Sequence, residues 1–197
     1  MRLRFAVWAL LLAALANPAL AHDNAGLPGG LFSGFLHPLS GLDHLIAMVA
    51  VGIWGAQLGN PAIWLLPITF PPVMALGGVL GIAGVPLPAP EAVIALSGVV
   101  LGAVVATRVR APFIGAAIVV GVFAIFHGHA HGAELPAAAN ALAYGIGFVV
   151  ATGLLHLCGI SIGALIRWPA GERLIRGVRA AIATAGCFFL YQSLMLS

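Results

Sequence analysis

APFIGAAIVVGVFAIFHGHAHGAE, residues 111–134, is an apolar stretch that ends in a run of histidines. From Phe113 to Phe126 it carries no charged side chain. About 20 apolar residues in a helix cross the ~30 Å of bilayer hydrocarbon. In lipid every backbone polar group must be paired within its own segment, so such a run reads as a transmembrane helix. The histidines that close it then sit at or in the membrane, where ionisable groups are expensive and mark function by default.

The same reading extends in both directions. Six hydrophobic spans fall near 31–56, 61–82, 91–107, 111–130, 136–157 and 175–195. Gly59-Asn60-Pro61 and the 86–90 stretch, PLPAP, are turn sequences. Arg108 to Pro112 is a short charged loop, and 157–176 reads as a longer, glycine-bearing connection. Hydrophobic residues make up 62% of the chain and charged residues 7%, against about 25% in a soluble domain. The fold class expected is therefore all-α: a polytopic bundle of six transmembrane helices.

The N-terminus reads as a cleaved secretory signal. Arg2 and Arg4 are its basic region, Phe5–Ala16 its apolar region, and Ala19-Leu20-Ala21 its cleavage site. The expected division is a signal peptide at 1–21 and the six-helix domain at 22–197, with His22 as the new first residue. The mature N-terminus would then lie outside. Counting spans, Arg108, Arg110, Arg167, Arg173, Arg176 and Arg179 all fall on the cytoplasmic side, as the positive-inside rule requires. The expected location is the bacterial inner membrane.

Several functions are excluded early. The chain has no lysine, hence no phosphate-binding GxxxxGK[ST] loop and no Schiff-base lysine. The net charge of +3 comes from arginines grouped at loops, a topology signal and not a nucleic-acid surface. Cys158 and Cys187 make no disulfide framework and read as small buried side chains. Gly77-x-x-x-Gly81, Gly98-x-x-x-Gly102 and Gly159-x-x-x-Gly163 are small-residue faces for helix packing within the bundle.

Two clusters carry chemistry. The first is HPLSGLDH, residues 37–44. With Pro38 in a first helical turn, His37 and His44 would share one stripe, about 10.5 Å apart in depth. Asp43 would either orient an imidazole from a neighbouring helix or bind metal directly. The second is FHGHAHGAE, residues 126–134. On a continuous helix His127, His131 and Glu134 share a face, a common donor set for a divalent metal. His129 would point elsewhere unless the glycines open the helix. By the span count both clusters lie at the outer side. A single histidine on an apolar face is usually a hydrogen-bonded packing residue. Seven polar groups at one depth are not so easily dismissed, although a proton relay uses the same residues. His22 could chelate through its amine and ring. His156 would mark the inner end of the fifth span, about 30 Å from the outer motifs, as an ion waypoint or a packing residue.

Together the two motifs resemble the signatures of the HupE/UreJ family, over the whole chain and most closely its short, UreJ-like form. The resemblance implies nickel uptake, or an accessory role in supplying nickel to urease or hydrogenase, with maturation proteins of those enzymes as partners. It carries over His37, Asp43 and His44 from the first motif, and His127, His131 and Glu134 from the second. The metal is expected as substrate, nickel first and cobalt or zinc next, with no permanently bound cofactor. A membrane metalloenzyme and a non-transporting metal-binding accessory protein are the competing readings. Against the enzyme, HExxH is absent.

Overall fold

Gly41 divides the first apolar stretch in two. The computed structural model describes residues 30–135 and 140–165, and scattered positions between 177 and 195. The first two helices are α1, Leu31–Ser40, and α2, Leu42–Leu58, and they meet at an angle of 83°. A single straight span over 31–56 is therefore corrected to a broken one. Pro38 does not sit in a first turn; it lies in the last turn of α1. Lacking an N–H, it withholds the helical bond from the Gly34 carbonyl and weakens that turn. Gly41 then adopts an extended conformation, closing α1 through its N–H to the His37 carbonyl and opening α2 through its own carbonyl to Leu45.

Four longer helices follow: α3, Ala62–Ile82; α4, Pro90–Thr107; α5, Phe113–Ala133; and α6, Ala141–Ala164. Each is long and apolar enough to cross a membrane, which gives four candidate spans among the described residues, or five with the bent pair counted as one. No strand occurs among the described residues. The fifth span does not end near residue 157, because α6 continues unbroken to Ala164. The described positions from 177 to 195, where the sixth span is expected, are helical. The signal peptide, His22 and the arginines from 167 to 179 lie outside the described residues.

Packing follows the glycines. α3 lies along α5, α2 along α6, and α1 along the first half of α6. A side chain on Gly128 would strike the Met74 carbonyl, and one on Gly132 the Gly78 carbonyl. Backbones this close need residues without a Cβ at the contact. Gly77 and Gly81 meet α5 in the same way, and Gly159 and Gly163 meet α2. Gly128 and Gly132, between the histidines of α5, therefore pack the helix and do not open it.

The buried core runs through α2 and α3, with Met48, Ile53, Trp54, Leu66 and Phe70 all sealed. The outer surface is apolar as well: Leu142 is 75% and Ile114 71% exposed. Large apolar side chains turned outward are what a lipid solvent permits. Cys158 and Cys187 belong to this outer surface, so the expectation that they are buried is corrected. Both ends of the bundle are polar in different ways. One end gathers the start of α2, the start of α4 and the end of α5, with the histidines. The other gathers Gln57, Arg108 and Arg110 around one cavity. There the Trp54 indole N–H and the Gln57 amide donate to the carbonyls of Val109 and Val105.

Candidate metal centre

The break at Gly41 turns His37 and His44 toward each other by a route that a straight helix does not offer. Their ring centroids are 6.4 Å apart. His131 of α5 lies between them, 4.5 Å from His37 and 4.4 Å from His44. His127, one turn deeper on α5, is 5.0 Å from His44. Four histidines separated by up to 94 positions in the sequence (131 − 37) thus form one contiguous ring cluster.

The donors face a common point. One ligand atom each from His37, His131 and Glu134 lies within 4.8 Å of the others. Donors at ~2.1 Å from a shared ion stand roughly 3–4.2 Å from one another, so small side-chain adjustments close the site. Exposure falls along the same row: Glu134 is exposed, His37 half-buried, His131 7% and His127 1% exposed. A cation arriving from that end meets carboxylate first and imidazole after. The cavity between His37, Asp43, His44, Glu91, His131 and Glu134 holds about 40 Å³. That is room for an ion with a few waters.

Asp43 pairs with the residue that follows it in the chain. Its Oδ1 accepts from the Nδ1 of His44 at 2.7 Å and from the His44 backbone N–H at 2.8 Å. It orients the imidazole next to it on the same helix, and not one from a neighbour. Its place in the first turn of α2 puts its charge at the positive end of that helix. With Nδ1 donating to the carboxylate, His44 keeps the lone pair on Nε2, which is buried without a protein partner. His127 is fixed in the same sense. Its Nδ1 donates to the Phe123 carbonyl at 2.8 Å, and its Nε2 is buried and unpartnered. In its neutral form each ring would offer Nε2, the atom without a protein partner, to a metal.

His129 is not in the cluster. It points to the other side of α5 and donates through Nε2 to the Val85 carbonyl at 2.6 Å, tying α5 to the loop after α3. His156 is not remote either. It lies inside α6 and not at its end, because that helix runs on to Ala164, and Phe70 touches its ring at 5.2 Å and that of His127 at 6.1 Å. The ~30 Å separation is overturned. Glu91, Tyr144 and Phe148 are additions that the motifs did not name. Glu91 opens α4 and lines the cavity, while Phe148 packs on His131 at 4.7 Å and Tyr144 on His37 at 5.9 Å. Glu91 had a signal in the sequence: it is one of only five acidic residues in the chain.

The fold and the site define a polytopic helical membrane protein with a histidine–carboxylate pocket at one end of its bundle. Comparison with known proteins makes this specific. The family model described as "HupE / UreJ protein" matches residues 10–189, and the chain belongs to that family. It is 50% identical over 180 residues to "Protein HupE" of Rhizobium leguminosarum bv. viciae, covering 91% of this chain and 94% of that one. The short length is therefore shared with a HupE relative and does not separate the two branches. No solved structure matches.

Proposed function

We propose that the protein is a permease that carries a divalent transition metal, nickel foremost, into the cell to supply urease or hydrogenase maturation. The observation that carries this is the convergence of His37, His131 and Glu134 within 4.8 Å, from the two motifs of the family. Imidazole with carboxylate suits nickel, cobalt and zinc, and the absence of thiolate in the pocket disfavours monovalent copper. The metal is cargo, and the chain needs no resident cofactor. His44 and Glu91 complete the donor set, and Asp43 holds His44 in its binding tautomer.

The wider architecture belongs to the same proposal. Residues 1–21 are a cleaved signal and 22–197 a six-span domain. The histidine end faces the periplasm and the Arg108–Arg110 end the cytoplasm, as the positive-inside rule asks. His22 captures metal near the mouth. The inward potential drives the ion, at about 2.3 kcal/mol per charge per 100 mV. The test is radiolabelled nickel accumulation in cells expressing the chain. His37→Ala and His131→Ala should each abolish the protein-dependent uptake at normal expression. Wild-type accumulation by either variant would sink the proposal.

A further inference from the structure

One stripe of α6 runs from the pocket into the bundle. Tyr144, Phe148, Thr152 and His156 lie four residues apart and share a helix face. Phe148 packs on His131, and Thr152 and His156 follow about 6 Å and 12 Å further along the axis. Both are sealed, Thr152 at 0% and His156 at 1% exposure. Neither the Thr152 hydroxyl nor either ring nitrogen of His156 makes a full hydrogen bond to protein. An unpaired buried polar group costs roughly 1–3 kcal/mol. Valine and leucine would fill these positions without that cost, so packing does not account for the residues chosen.

α3 supplies another donor at this level. Pro71 has no N–H, so the Pro67 carbonyl loses its ordinary helical partner. That carbonyl interacts with the His156 ring, short of full hydrogen-bond geometry. Phe70, on the same turn of α3, separates the rings of His127 and His156 and contacts both. Gly52 and Gly159 let α2 press against the backbone of α6 beside His156, which closes the other side.

We propose that His156, Thr152 and the Pro67 carbonyl form a second, inner binding station for the divalent cation, which the ion reaches from His127 past Phe70. This rests on the permease reading and deepens it. The inner set holds an imidazole and neutral oxygens and no carboxylate. It therefore binds a divalent ion more weakly than the outer pocket, as a station that must release its ion requires. It also breaks the apolar interval beyond His127 with a polar step.

The test uses the full chain in proteoliposomes with nickel as the probe. His156→Gln and Thr152→Val should leave the half-saturating nickel concentration within about twofold, since the outer pocket is intact, and lower the maximal rate about tenfold or more. Thr152→Val removes an unpaired hydroxyl at constant shape, so it should melt no lower than wild type, which separates a transport defect from a folding defect. Wild-type maximal rates in both variants would overturn the inner station. So would a rate loss accompanied by an equal rise in half-saturation or by unfolding. If the wild-type chain itself moves no nickel, the permease reading fails by a different sign. The station is then decided by calorimetry on purified His37→Ala/His131→Ala protein: residual nickel binding that His156→Gln removes supports it, and no such binding overturns it.

Discussion

Asp43 and His129 show how differently a polar residue can serve one motif region. Asp43 touches His44 through two hydrogen bonds, and its carboxylate fixes which ring nitrogen is bare. Asp43→Asn should weaken nickel affinity about 10–100-fold, the usual effect of losing a carboxylate behind a ligating histidine. Equilibrium binding to purified protein measures this, and unchanged affinity would remove Asp43 from the site. His129 spends its Nε2 on the Val85 carbonyl. His129→Ala should keep wild-type nickel affinity while lowering stability by about 1 kcal/mol, read as a lower melting temperature in detergent. A loss of affinity without loss of stability would return His129 to the donor set. Spacing made His127, His131 and Glu134 legible as one face, because a helix repeats every 3.6 residues. Glu91 was hidden because its neighbours are a proline-rich turn and a span boundary. Only the fold brings the start of α4 against the end of α5.

Helix contacts set the depth and spacing of the donors. Gly128 alternates with His127 and His129 on α5 and faces the backbone of α3 at Met74. Gly128→Ala has no room without moving a helix, and should cost about 1–3 kcal/mol and displace the His127–His131 row. Gly78, in the same interface, has 3.5 Å to its nearest neighbour, and Gly78→Ala should be tolerated. Thermal unfolding of the two variants side by side checks this; equal melting temperatures would contradict the account of the contact. The small-residue spacings were readable in the sequence, but their partners were not, since pairing depends on tertiary contacts. The break at Gly41 was written there too, in a proline at 38 and a glycine at 41. Hydropathy hides it, because a broken span and a straight one have the same composition.

At the scale of the molecule, the bundle separates its charges. The histidine–carboxylate pocket lies at one end, and Arg108 and Arg110 lie at the other. If the pocket faces outward, a cysteine-free background carrying Pro86→Cys should react with an impermeant thiol reagent applied to intact spheroplasts. Val109→Cys, also on an exposed residue, should react only after lysis. The reverse pattern would invert the proposed topology. The all-helical, membrane-crossing character was accessible from composition because lipid imposes a single rule on every segment. The proposed path between the ends was legible only at His156, because Phe70 and Thr152 look like ordinary core. The central claim is that metal held by the outer pocket crosses to the other side. Radiolabelled nickel flux into proteoliposomes of the purified chain measures that directly. The account predicts saturable uptake that rises with an inside-negative potential and is lost in His131→Ala. Nickel binding at the pocket with no flux at any potential would contradict it and leave a protein that only binds the metal.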